Sequence, residues 1–143
     1  MNRSCNKIIL VEDNPADVEL IRFAFRNLNF ACDIIHCSNG GDLFNLLEKT
    51  EPEAFCYMLL DLNIPRLNGI EILKNLSTNK KWSTLPIIVF TSSSHDYDIA
   101  KCYELGANAY VLKPVLLNEF DQIIHAIHSF WGKVNFRPEC VNN

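Results

Sequence analysis

Short runs of apolar and β-branched residues recur along the chain. Between them lie longer stretches in which apolar residues return every three or four positions. The short runs are Lys7–Val11 (KIILV), Asp33–Cys37 (DIIHC), Cys56–Leu60 (CYMLL), Pro86–Phe90 (PIIVF) and Asn108–Leu112 (NAYVL). Near-continuous apolar character over so few residues suits strands covered on both faces. The stripes between them are Val18, Ile21, Phe25 and Leu28; Phe44 and Leu47; Ile70, Leu73 and Leu76; and Ile99, Cys102, Tyr103 and Leu105. The last stripe, Leu117, Phe120, Ile123, Ile124, Ile127, Phe130 and Trp131, is the cleanest helical repeat. Asn14-Pro15 reads as an N-cap followed by proline at the first helical position. Gly106 stands where a left-handed C-cap is wanted. Strands alternating with helices predict an α/β doubly wound parallel sheet, and right-handed crossovers favour the strand order 2-1-3-4-5.

Composition narrows the function. The 143 residues make one domain the expectation for 1–143, with 131–143 a short C-terminal extension and no effector domain. Seventeen acidic against thirteen basic residues give a net charge of -4, which argues against a nucleic-acid partner. Lys80-Lys81-Trp82 reads as an exposed loop rather than a nucleic-acid patch. The longest apolar stretch, Ala54 to Leu60, is far short of the roughly 20 residues of a membrane helix. Without a signal-peptide core before Glu12, a cytoplasmic location is expected. The six cysteines (Cys5, Cys32, Cys37, Cys56, Cys102, Cys140) show no CxxC pair or zinc spacing and read as reduced packing thiols. His125 and His128 are one helical turn apart but have no further ligand nearby, so a metal pair is disfavoured.

Chemistry concentrates at strand ends. In doubly wound sheets the working crevice lies at the carboxyl ends of the strands, beside the point where strand order reverses. There the first run ends in Glu12-Asp13, the third in Asp61, the fourth in Thr91, and the fifth in Lys113-Pro114. Any one of these alone is an ordinary loop residue. All of them falling on one rim is far harder to obtain by chance. Carboxylates gathered this closely need protons or a cation. Oxygen-only donors suit a hard divalent ion, and Mg2+ fits best. Asp13 and Asp61 are then direct ligands, with the Asn63 backbone carbonyl a third and Glu12 acting through water. A cation beside Lys113 and the Thr91 hydroxyl makes a phosphoryl site, with Asp61 as the nucleophile.

With these residues in order, the sequence resembles the receiver domain of two-component response regulators, which have a flavodoxin-like (βα)5 fold. Glu12-Asp13, Asp61-Leu62-Asn63-Ile64-Pro65 with Asn68-Gly69, Thr91-Ser92 and Tyr110-Val111-Leu112-Lys113-Pro114 carry the resemblance, over roughly Lys7 to Phe130. It implies Asp61 as phosphoacceptor, Glu12 and Asp13 as the acidic pair, and Lys113 as the phosphate-pairing lysine. Thr91 and Tyr110 would be the switch residues. Asn63 and Ser93 would tune the lifetime of the acyl phosphate. The Lys113–Pro114 bond is expected to be cis, a sharp test because cis X-Pro is rare. The segment Val11 to Leu20 and the pair Phe130-Trp131 are similar to the stand-alone regulators that partner phytochromes. That resemblance implies a phytochrome-type histidine kinase as donor and a homodimer. Three departures stand out: Glu12 replaces a second aspartate, Ser92 a common alanine, and Leu116 an aspartate N-cap. The missing cap costs about 1 kcal/mol, unless Leu116 serves an interface.

The signal must leave by protein contact. Trp131, Val134 and Phe136 make the tail too apolar to float freely, so it folds back on its own domain or packs on a partner. With Leu116 and Phe130, it suggests a dimer through helix 4, strand 5 and helix 5. A relay intermediate or phosphate sink is an alternative within the same chemistry. An aspartyl-phosphate phosphatase is disfavoured because Asn63 cannot act as a general acid. A flavin or nucleotide carrier lacks the glycine-rich loop it needs, and the acidic first loop would repel phosphate without a metal. A silent adaptor is disfavoured because every required residue type is present.

Overall fold

The computed structural model describes residues 6–28 and 31–138. Five parallel strands form one sheet in the order β2-β1-β3-β4-β5, as the alternation predicts. They are β1 Lys7–Val11, β2 Asp33–Cys37, β3 Met58–Leu60, β4 Ile87–Thr91 and β5 Ala109–Leu112. The connecting helices are α1 Pro15–Arg26, α2 Gly40–Lys49, α3 Gly69–Ser77 and α4 Asp96–Glu104, with α5 Leu117–His128 following the last strand. β3 is narrower than its apolar run. Even so, the Cys56 N–H donates to the Lys7 carbonyl at 2.8 Å, and the Ile9 N–H to the Tyr57 carbonyl at 3.1 Å.

The two sheet faces bury separate layers, which explains the unbroken apolar strands. Ile8, Leu10, Leu59, Ile88 and Phe90 face α1 and α5, where Val18, Ile21, Phe25, Phe120, Ile124 and Ile127 close over them. Ile9, Val11, Met58, Leu60 and Val89 face the opposite layer, with Leu43, Leu47, Ile72, Leu73, Leu76 and Cys102. Not every stripe residue is inside: Leu117 and Tyr103 are exposed.

The helix ends follow the local chemistry. The Asn14 side chain accepts the Ala16 N–H at 2.9 Å and the Asp17 N–H at 3.4 Å, with Pro15 opening α1. Gly106 has φ +100°, and the Gly106 and Ala107 N–H groups return to the Tyr103 and Cys102 carbonyls. That is a Schellman close, which a side chain at Gly106 would strain. Leu116 caps α5 with no side-chain hydrogen bond.

Two expectations are corrected. The Lys113–Pro114 peptide is trans, as is every peptide bond among the described residues. An X-Pro bond favours trans by only ~0.5–1 kcal/mol, so either isomer is open to local context. Cys56 is disulfide-bonded rather than a reduced thiol. Pairing cannot be deduced from cysteine spacing alone. Cys32, Cys37 and Cys102 are free. Burial pushes the Cys32 thiol up to about 12 and those of Cys37 and Cys102 up to about 11, as suits unreactive packing groups. Cys5 and Cys140 lie outside the described residues.

Beyond α5 the chain continues as π-helical winding over Ser129–Val134. Trp131 is half-buried against the α1 and α5 layer. The Arg137 Nη1 donates to the carbonyls of Pro52 and Phe55, and its Nη2 to that of Thr84. The described part of the tail therefore folds back on its own domain. Phe130, Val134 and Phe136 still face outward.

Candidate functional site

β1 and β3 are neighbours, and β2 lies on the other side of β1, so strand order reverses beside the ends of β1 and β3. A cleft of about 470 Å³ opens there, lined by Glu12, Asp13, Asp17, Asp61, Ser92 and Lys113 among others. Ladder geometry sets its floor. The Asp61 N–H donates to the Val11 carbonyl at 3.0 Å, and the Glu12 N–H to the Cys37 carbonyl at 3.1 Å. One carboxylate oxygen from each of Glu12, Asp13 and Asp61 lies within 4.8 Å of the others. Glu12 and Asp61 are buried and Asp13 is exposed. A triad made only of oxygen donors, with one open member, fits a hard divalent cation.

Lys113, carried in from the end of β5, faces this cluster. Its Nζ donates to Glu12 Oε2 at 2.8 Å, Asp17 Oδ2 at 2.8 Å and Asp61 Oδ2 at 3.0 Å. Burial pulls the Lys113 ammonium down, but the bonds to Asp17 and Glu12 and the charges of Asp61 and Glu12 prevail and hold it above the ordinary lysine range. Glu12 is raised, first by burial and further by the Asp61 charge, against the opposing Lys113 hydrogen bond. One ammonium thus faces an excess of carboxylates, the electrostatic condition for taking up a cation. Asp61 Oδ1 accepts the Asn63 N–H at 3.3 Å.

The remaining residues expected at the site fall into two groups. Ser92 lines the cleft, whereas Thr91 is fully buried and its Oγ1 accepts the Ser93 N–H at 3.4 Å. Tyr110 is half-buried and its hydroxyl donates to the Ser93 carbonyl at 2.8 Å. The Ser93 Oγ donates to Asp98 Oδ2 at 2.7 Å. Ser93 therefore ties both Thr91 and Tyr110 to the first turn of α4. Leu116, Phe130, Trp131 and Phe136 stand apart from the cleft lining.

Two contributors were not among the residues singled out by sequence. Asp17 lies in the first turn of α1 and reaches Lys113. His36, on edge strand β2, donates its Nε2–H to the Glu12 carbonyl at 2.7 Å and pins that backbone. The acidic first-turn position of Asp17 was a readable signal, because acids favour helix N-termini. His36 offered none.

A doubly wound sheet with an acidic cluster and an opposed lysine at its switch point defines the class of phosphoacceptor signalling folds. The chain belongs to the response regulator receiver domain family, whose model matches residues 8–127. It is 31% identical over 134 residues to the "Probable methanogenesis regulatory protein FilR2" of Methanothrix harundinacea, covering 92% of this chain and 86% of that protein. It is 30% identical over 129 residues to the response regulator Rcp1 of Synechocystis, covering 87% of each. The phosphorylated cyanobacterial phytochrome response regulator RcpA superposes with a TM-score of 0.86 at 30% identity, over 94% of this chain and 99% of that one. A Mn2+-bound form of Rcp1 superposes with a TM-score of 0.84 at 28% identity, over 93% and 99%. Among the described residues no helix is long and apolar enough to cross a membrane.

Proposed function

We propose that this receiver domain accepts a phosphoryl group from the phosphohistidine of a histidine kinase onto Asp61 and passes the signal on through a changed protein-interaction surface. One observation carries the reading: Lys113 Nζ stands 3.0 Å from Asp61 Oδ2, at a cleft where Glu12, Asp13 and Asp61 converge. RcpA is a phytochrome response regulator, and its likeness to this chain makes a phytochrome-type kinase the proposed donor. Mg2+ is the proposed cation, held by Asp13, Asp61 and the Asn63 carbonyl, with Glu12 acting through water. When bound, the cation neutralises the charge that develops on the phosphoryl oxygens.

In the transfer, an Asp61 carboxylate oxygen forms a bond to phosphorus. The P–N bond breaks, its electron pair stays on the ring nitrogen, and the ring, carrying a proton from solvent on its other nitrogen, leaves as neutral imidazole. Lys113 moves from Asp61 Oδ2 to a phosphoryl oxygen. The Thr91 hydroxyl leaves its contact with the Ser93 N–H and donates to another. Ser92, being small, leaves the approach open. Asn63, in the cleft lining, and Ser93, next to Ser92 in the chain, tune the lifetime of the acyl phosphate. Displacing Thr91 disturbs the Ser93 node, which also holds the Tyr110 hydroxyl, and Tyr110 turns inward. Phosphate must favour this arrangement by about 5.5 kcal/mol to carry the population from 1:99 to 99:1.

Incubation with Mg2+ and a small acyl phosphate is expected to add the mass of one phosphate to the native chain and none to Asp61→Asn. Full labelling of Asp61→Asn would overturn the assignment. A transfer profile against candidate histidine kinases then identifies the donor.

A further inference from the structure

An ammonium has three N–H donors. In Lys113 each is spent on a different carboxylate, from the end of β1, the first turn of α1 and the end of β3. Two of those carboxylates, Glu12 and Asp61, also belong to the convergent acidic triad, and Asp17 does not. An ammonium leaning only on Glu12 and Asp61 would compete with a dication for the oxygens that dication needs. A third anchor outside the triad draws it to one side.

We infer that Asp17 is a positioning residue for Lys113, holding the ammonium on the α1 side of the cleft so that the triad stays open to a divalent cation. The backbone places Asp17 for this task. Pro15 fixes the first turn, and the Asn14 side chain holds the Ala16 and Asp17 N–H groups. The Asp17 side chain is largely covered, at 23% exposure. The same tether lets Lys113 pass from Asp61 to a phosphoryl oxygen without leaving Asp17. The inference rests on the reading of the cleft as a cation and phosphoryl site, and its test does not depend on phosphate transfer.

The test is calorimetric titration with Mg2+ of the native chain, Asp17→Asn, Asp17→Glu and Glu19→Gln. Glu19 is an exposed acid on the same helix and serves as the control for net charge. Asp17→Asn is expected to weaken Mg2+ binding about five-fold or more, within the range of a direct coupling, and Glu19→Gln less than about two-fold. Asp17→Glu, which keeps the carboxylate, is expected to restore most of the loss. In a Lys113→Met background the Asp17→Asn loss should shrink to that of Glu19→Gln. Asp17→Asn matching Glu19→Gln in the native background overturns the inference, and that comparison stands even if Lys113→Met does not fold. An equal Asp17→Asn loss with and without Lys113 overturns it too, by reducing the effect to bulk charge. A native chain that takes up no Mg2+ at millimolar concentration overturns this inference and the functional reading together, whereas the other outcomes leave that reading standing.

Discussion

Gly69 opens α3 directly against the loop that carries Asp61. A Cβ at this position would lie 2.6 Å from the Asp61 carbonyl oxygen and 2.7 Å from Leu62 Cα. Both are backbone atoms, and the Gly69 N–H already donates to the Leu62 carbonyl at 3.0 Å. The loop itself must therefore move to admit a methyl. Gly69→Ala is expected to cost about 1–3 kcal/mol in urea unfolding. Phosphate uptake should fall by at least ~10-fold, because reacting groups tolerate little displacement. Native-like uptake in a stable Gly69→Ala chain would show that the contact does not set the position of Asp61. At this scale the sequence exposed some of the site and hid the rest. Glu12, Asp13, Asp61, Thr91 and Lys113 were legible because a strand end fixes where a residue stands. Of Asp17 only its place in a first helical turn was legible, and of His36 nothing, because their roles depend on how a helix turn and an edge strand meet a lysine and a carbonyl brought from elsewhere in the chain.

Elements were easier to read than their junctions. A strand sealed on both faces needs an unbroken apolar run, so all five strands showed themselves, and Asn14 and Gly106 marked helix ends through backbone chemistry. The stripe of α5 misled at both ends. Leu117 precedes the part of the helix that meets the sheet, and beyond His128 the winding changes from α to π, which shifts the face presented. The cause of that tight junction is visible only in three dimensions. His128 is 1% exposed. Its Nδ1 shares a 2.8 Å hydrogen bond with the Tyr57 hydroxyl, and its ring meets Phe25 edge-on at 5.1 Å. Gly132 packs so close that a Cβ there would fall 2.5 Å from the imidazole. One imidazole thus joins α5, the π winding, α1 and the approach to β3. Burial, assisted by the charges of Lys133 and His125, lowers its pKa to about 4 from an ordinary 6.5. The unfolded chain takes up this proton below about 6.5 and the folded chain only near 4, so stability is complete above that window and is lost as pH falls through it. Urea unfolding is expected to show a loss of about 2 kcal/mol from this group between pH 7 and pH 5. His128→Gln should lack that component. An identical pH slope in the variant would assign the dependence to other groups.

Across the whole molecule, the face built by α4, β5 and α5 carries apolar surface that the described residues leave exposed. Leu112 is 47% exposed, Val115 96%, Leu116 57% and Leu117 69%. Tyr97 and Tyr103 are exposed on α4. Tyr110 lies in β5 and Lys113 follows its last residue into the cleft, so the site at Asp61 and the exposed patch are joined through one short element. Exposed apolar residues gathered on one face favour an interaction, and the proposed occupant is a second copy of the chain. Leu116 separates this idea from its bland counterpart. It occupies the N-cap of α5 without a capping oxygen, and Glu119 stands three residues on. Leu116→Asp would supply the missing acceptor and complete a capping box, stabilising the helix by about 1 kcal/mol. A rise in melting temperature of roughly 3 °C is then expected. If the leucine is retained for contact, the same change should weaken self-association in sedimentation velocity, because it places a carboxylate inside an apolar junction. A phosphate mimic with Mg2+ should shift the native chain toward the associated species and shift Leu116→Asp less. A variant that melts higher and associates like the native chain would make Leu116 an uncapped helix start and nothing more. Identical species with and without the mimic would remove self-association as the readout and leave the chemistry at Asp61 intact.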